Sequence, residues 1–409
     1  MKQFCLCGLG AVGLALGFPR ALAQEWFHHL DESLHVQSAD GQFNARLSGL
    51  FDLEGYYVDQ RPGGLIFGGG DSFVNPRLSL FLEGRLGPHF YSFAQARVDR
   101  GFDPRVRRQD ARFDEYLIRY TPFDNGHLNF QLGKFATVAG NFVQRHDSWQ
   151  NPLITAPLPY ENVFNISDQA APASPGAFLA RRSVPDKKTS WLPLLWGPSY
   201  ASGGSVFGSV EKFDYAFEIK NASISSRPSV WDARDWNFDY PTTTGRLGFR
   251  PSASWNLGVS GSVGPYLISP AERTLPAGRD LSDYFQESVS ADLSYSHHHW
   301  QLWAEIFASR FEVPNVGGAD SISGYVEAKY KFTAQLFGAL RWNQQLFGDV
   351  ANGRGGQEPW DRDLWRIDSA LGYRFSQHLQ AKVQYSYTHE QGKLQQGEQL
   401  VAAQVTLKF

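Results

Sequence analysis

The sequence predicts an all-β chain closed into a transmembrane, antiparallel up-and-down barrel of about sixteen strands with a long third external loop. Three observations carry this expectation. Stretches of about ten residues that alternate apolar and polar recur from residue 43 to the end. The connections between them alternate short and long. Aromatic content is 15%, yet mean hydropathy is -0.36 and no segment beyond the amino terminus is an apolar run long enough to cross a bilayer as a helix.

Residues 1–23 have a basic start (Lys2), an apolar run from Phe4 to Phe18 and a small-x-small site at Ala21-Leu22-Ala23. That is the layout of a secretory signal peptide, whose removal leaves Gln24 first. Both cysteines, Cys5 and Cys7, leave with it, so disulfides, thiolate metal sites and cysteine nucleophiles are excluded from the mature chain. Loss of Lys2 and Arg20 takes the basic count from 38 to 36 against 41 acids, moving the formal charge from -3 to -5. A general nucleic-acid binder is therefore not expected. Residues 24–42 read as a periplasmic amino-terminal segment and 43–409 as the barrel.

The expected strands are 43–57, 73–86, 90–103, 111–121, 128–138, 204–210, 215–222, 243–250, 255–265, 285–297, 300–312, 321–332, 335–347, 361–375, 378–390 and 398–409. In the first, Phe43, Ala45, Leu47, Phe51 and Leu53 oppose Asn44, Arg46, Ser48, Asp52 and Glu54. In the last, Val401, Ala403, Val405, Leu407 and Phe409 oppose Ala402, Gln404, Thr406 and Lys408. Long connections are expected at 58–72, 104–110, 139–203, 223–242, 266–284, 313–320, 348–360 and 391–397, and an even strand count puts both termini on the short-turn rim. Sixteen strands leave a middle too wide for side chains to fill, so the apolar faces must point outward to lipid around a watery lumen. Tyr56, Tyr57, Tyr120, Phe123, Trp300, Trp342, Tyr373, Phe375 and Phe409 suit interfacial girdles.

With a signal peptide, sixteen amphipathic strands and a terminal Phe409, the chain resembles Gram-negative outer-membrane porins. The segment 39–49 (ADGQFNARLSG), Pro76-Arg77-Leu78, 93–99 (FAQARVD), Asp114-Glu115-Tyr116 and Leu132-Gly133-Lys134-Phe135 are similar to the phosphate-selective porin O/P family. The likeness spans most of 39–135. It implies residence in the outer membrane, reached through the periplasm, and passive diffusion of small hydrophilic solutes or anions without a cofactor. It also implies contact with outer-membrane lipid, insertion by the barrel-assembly machinery with Phe409 as its signal, and, as is common among porins, a homotrimer.

Selectivity is expected from charged rings facing the lumen. The alternation points Arg46, Arg77, Arg85, Arg97, Arg119, Arg341, Arg366 and Arg374 inward. Between Arg77 and Arg119 there are nine arginines and no lysine against six acids, a local +3 that suits an anion path, while pairing of those arginines with neighbouring acids is the plainer alternative. The 139–203 connection, with Trp149, Tyr160, Trp191 and Trp196, reads as ordered; it either folds into the lumen as a constriction or caps it. Its candidate charges are Arg145, Arg181, Arg182, Lys187 and Lys188.

Three rival readings stay open. A substrate-specific channel would use inward aromatics such as Phe81, Tyr91, Phe93, Trp303 and Tyr325. A barrel enzyme would need a converging triad, for which adjacent His146, Asp147 and Ser148 are poorly spaced. A secreted soluble β protein is the third. His297-His298-His299 sits at a tight turn where side chains diverge, so no metal site is expected, and Gly68-Gly69-Gly70 lacks the lysine and helix of a phosphate loop.

Overall fold

A computed structural model describes residues 33–60, 65–66, 70–99, 110–184, 190–232, 240–392 and 397–409. The signal-peptide reading, Gly68, Gly69, Lys187 and Lys188 lie outside the described residues. The first barrel strands are β1 (Phe43–Val58), β2 (Ser72–Leu86), β3 (Phe90–Asp99) and β4 (Asp110–Tyr120). Next come β5 (Asn129–Phe135), β6 (Ala201–Val210), β7 (Phe213–Lys220) and β8 (Thr242–Ser252). They are followed by β9 (Trp255–Pro265), β10 (Phe285–His297), β11 (Trp300–Val313) and β12 (Gly317–Lys331). The last four are β13 (Leu336–Phe347), β14 (Leu364–Arg374), β15 (Leu379–Glu390) and β16 (Gly397–Lys408).

Each strand pairs antiparallel with its sequence neighbours, and β1 pairs with β16 from Leu50↔Lys408 to Val58↔Leu400, so the sheet closes on itself. Closure leaves no edge with unpaired backbone groups, the condition for crossing lipid with strands. A short strand, His35–Gln37, is added to β1 at Asn44–Arg46.

The outward positions are apolar and exposed, among them Leu132, Leu247, Val289 and Ile118 at 62–63%. The inward positions are polar and buried, such as Asp52, Glu327, Arg341, Asp368 and Gln404. Ring pairs collect at the short-turn rim: Phe90 on Tyr120 at 5.1 Å, Trp255 on Tyr295 at 4.5 Å and Trp300 on Tyr330 at 4.7 Å. Tyr56 departs from the expected girdle. Its side chain faces inward and its hydroxyl donates to Glu54 at 2.9 Å, while Tyr57 takes the outward position.

Three departures from the periodic reading stand out. The connection expected at 313–320 is a turn over 314–316, because Gly317-Gly318-Ala319 continues β12 in register with Phe311–Val313. The strand expected to reach residue 138 stops at Phe135, where the chain turns inward. Opposite Gln95 and Ala96 of β3 a bulge shifts the register of β4, so Asp114 is the extra residue. The bulge reverses the facing of everything after it. Phe113 and Ile118 both point out, while Arg112, Asp114 and Arg119 point in.

The seam between first and last strands is finished by Phe409, whose N–H donates to Gly49 O at 3.0 Å and whose carbonyl accepts from Gly49 N at 2.8 Å. Its ring lies over Gly49, where a side chain would collide with it. Gly49→Leu should therefore displace the ring and destabilise the barrel by about 1–3 kcal/mol. A urea-unfolding midpoint in detergent unchanged from the parent chain would refute this.

Candidate functional site

A loop inside a barrel brings backbone groups that have no ladder partner, and each must find a side chain or water. The segment after β5 does so against the inner wall. Thr137 donates its hydroxyl to Glu218 of β7 at 2.7 Å. At Gly140 the chain takes a left-handed φ of 75° close to Tyr160 and Glu305, a place without room for a Cβ. The N–H groups of Asn141 and Phe142 then both donate to Glu305 of β11, the second at 2.7 Å.

Further along, Arg145 reaches β12, bonding Glu327 at 2.6 Å and the Tyr325 hydroxyl at 3.0 Å, with its guanidinium 4.3 Å from the Trp303 ring centre. Lys382 of β15 donates to three loop carbonyls, those of Ser148 (2.8 Å), Asn151 (2.9 Å) and Leu153 (3.1 Å). Gln384 accepts from Thr155 N at 3.2 Å and also from Ile154 N. Arg341 and Arg366 donate to the carbonyl of Ala156, and Asn343 accepts from Leu158 N at 3.1 Å. Residues 137–162 thus cross the lumen from β7 to β15 and return along β13.

The rest of the connection forms a roof. Residues 163–184 and 190–200 pack with 222–231, 266–284 and 350–360 into a buried apolar cluster built on Phe164, Phe178, Trp196, Tyr266, Phe311 and Trp360. Asp168 and Arg227, both fully buried, form a two-pronged ion pair that ties 163–184 to the loop after β7. The described part of this connection thus has one stretch bonded to the inner wall and another packed with the neighbouring loops. Arg181 belongs to the roof, donating to the carbonyls of Asn165 and Ala170, and so does Arg182, paired with Glu358 at 2.7 Å.

The inward arginines are largely paired with acids, as the plainer reading anticipated. Arg77 bonds Asp52 at 3.1 Å and Glu54 at 2.5 Å, and Arg97 bonds Asp114 at 3.1 Å. Arg341 bonds Glu327 and Asp368, and Arg366 bonds Glu161 and Asp368. Arg119 and Arg374 make no ion pair among the described residues: the first holds Gln131 and lies near the Tyr91 and Phe207 rings, the second holds Gln380 and stacks near Trp149. Arg46 and Arg85 are exposed. Of the inward aromatics, Phe81 stacks on Phe93 at 6.3 Å, whereas Trp303 and Tyr325 are occupied by Arg145.

Between the inserted loop and the wall of β16, β1, β2 and β3 lies a cavity of about 160 Å³ lined by Glu54, Tyr56, Phe73, Asn75, Arg77 and Gln404 from the wall and by loop residues including His146 and Ser148. Burial, and then the Arg97 guanidinium, hold His146 below the usual histidine range. One ring nitrogen meets Val143 O and the other the Tyr200 hydroxyl, while Asp147 accepts from the N–H groups of Trp149 and Gln150. His146, Asp147 and Ser148 therefore do not converge as a triad. His299 at the rim meets Lys331 O and stacks on Tyr330. Lys382, Gln384 and Gln404 face inward; their role as loop anchors and cavity wall has no sequence signal, because it depends on the path of an aperiodic segment.

No family model matches the chain, and no curated protein matches it. Among solved structures it resembles an anion-selective porin from Comamonas acidovorans (11% identity, TM-score 0.54, covering 90% of this chain and 100% of that one). It also resembles OmpF of Salmonella typhi in complex with daunomycin (12%, 0.55, 91% and 100%). The outer membrane channel DcaP of Acinetobacter baumannii is a third (10%, 0.53, 91% and 99%). A trimeric form of a Vibrio cholerae outer membrane protein is among these neighbours. At such identities the likeness establishes the fold, that of outer-membrane porins.

Lys382→Met should release the inserted loop, since it leaves the buried carbonyls of Asn151 and Leu153 without a donor at about 1–3 kcal/mol each, and that of Ser148 with Gln380 Nε2 alone. Limited proteolysis of folded protein should then cut within 146–156, and equal resistance in variant and parent would refute the anchor.

Proposed function

We propose that the chain is an outer-membrane porin through which small hydrophilic solutes diffuse passively. The observation that carries this reading is the irregular segment 137–162 threaded across the barrel and held by wall side chains, with a cavity left between it and β16–β3. Of the triad types at 146–148, His146 and Asp147 are engaged elsewhere. The signal peptide, the lipid contact of the outward apolar face, insertion by the barrel-assembly machinery and a homotrimer belong to the same reading.

An anion preference is the finer part of it. Arg119, Lys329, Arg374 and Lys408 lack an ion pair among the described residues, and all four stand near the short-turn ends of their strands. Their uncompensated charge supports attraction of anions at that rim, whereas Arg77, Arg97, Arg341 and Arg366 contribute little net field beside their acids. A phosphate preference would be a narrower case of the same cations.

Detergent-purified protein in planar bilayers should give stepwise openings, with an anion-selective reversal potential in a potassium chloride gradient. Arg119→Glu with Arg374→Glu should move that potential towards cations. Openings with an unmoved potential would refute the rim argument, and correctly inserted protein without openings would refute the porin reading.

A further inference from the structure

Towards the short-turn rim, one sector of the inner wall breaks the polar habit of the rest. From β2 to β6 it turns Phe81, Tyr91, Phe93, Leu117 and Phe207 to the lumen, beside the inward polar residues Gln95, Arg85, Glu83 and Asn129 with which they pair in register. None of these five apolar side chains belongs to a buried apolar cluster, and the four rings are only half-buried. Apolar rings left facing water and rimmed by polar groups mark a binding surface.

Arg119 stands within this patch. It is opposite Tyr91 in register, and its guanidinium lies 5.0 Å from that ring centre and 4.9 Å from the centre of Phe207. Nε and Nη2 both donate to Gln131 Oε1, at 3.3 and 2.9 Å. Nη1 makes no hydrogen bond among the described residues and is not a buried atom, so it is an open donor on a permanent cation. Arg119 pairs with neither Glu83 nor Glu115 among the described residues, and Glu115 accepts the N–H of Ala136 at 3.3 Å.

Spacing narrows the ligand further. Leu117 and Phe93 are directly opposite each other, one same-face step along the strands from Arg119 and Tyr91, or about 7 Å. That is close to the length of a carboxylate joined to a six-membered ring. Phe81, stacked on Phe93 at 6.3 Å and 20°, widens the apolar floor beneath such a ring. Inorganic phosphate would answer the cation and leave the rings wet, whereas a neutral ring would cover them and leave Nη1 unanswered.

We propose that this patch is a binding subsite for a monocarboxylate that carries an apolar ring. The carboxylate accepts from Arg119 Nη1, and the ring covers Phe93, Leu117 and Phe81. The inference deepens the anion part of the proposed function and rests on it for its sense in transport; binding itself is independent of conduction.

The test uses the full-length mature chain in detergent, with benzoate, inorganic phosphate and benzyl alcohol as separate probes. Calorimetry should detect saturable benzoate binding at least about tenfold tighter than that of either other probe. Phe93→Ala, and independently Arg119→Gln, should each weaken it at least about tenfold in protein that keeps the trypsin resistance of the folded parent. Absence of benzoate binding, equal or tighter binding of phosphate or benzyl alcohol, or full affinity in both variants would overturn the proposal. Benzoate binding by a protein whose potential in planar bilayers is not anion-selective would uphold the subsite and overturn the rim argument alone. An anion-selective channel that binds no benzoate would do the reverse.

Discussion

The constraint on which the rest of this structure depends is the need to satisfy the backbone of an irregular segment placed inside a barrel. A strand meets that need through its neighbours. The segment 137–162 has no such neighbours, and the wall supplies what it lacks: Glu305 takes two N–H groups, Gln384 takes two, Asn343 one, and Lys382 caps three carbonyls. The polar inner face is therefore first a scaffold for the loop. Only the part of the wall the loop does not cover, from β16 through β3, borders the cavity.

The same requirement explains the charge pattern. Arginines and acids on neighbouring inward positions neutralise each other, as with Arg341 between Glu327 and Asp368, all of them fully buried. Removing one member of such a group typically costs about 3–5 kcal/mol, because the partner is left charged and alone. A surplus of arginine in the sequence is thus a poor measure of the field in the lumen.

Strand number and facing were legible because alternation is imposed by lipid on one side and polar groups on the other. The reading failed where that contrast is missing. Gly317-Gly318-Ala319 has no polarity to alternate, so β12 looked shorter than it is. At the other end of the chain, the alternation of Asp52 and Glu54 carried on to Tyr56 puts that ring inward, against its place in the expected girdle. The bulge at Asp114 has no signature of its own, although the two consecutive acids Asp114-Glu115 are its consequence. The division of 139–203 into an inserted and a roofing part follows from contacts such as Arg145 with Glu327 and Asp168 with Arg227, which join residues far apart in sequence.

The seam between Gly49 and Phe409 bears on how the molecule is made. The residues that complete the ring are far apart in sequence, so the ladder between β1 and β16 cannot form before both strands have been made. Throughout translation β1 is an unpaired edge with a full row of open donors and acceptors, the arrangement most prone to wrong pairing. Closure is consequently a late step of high contact order.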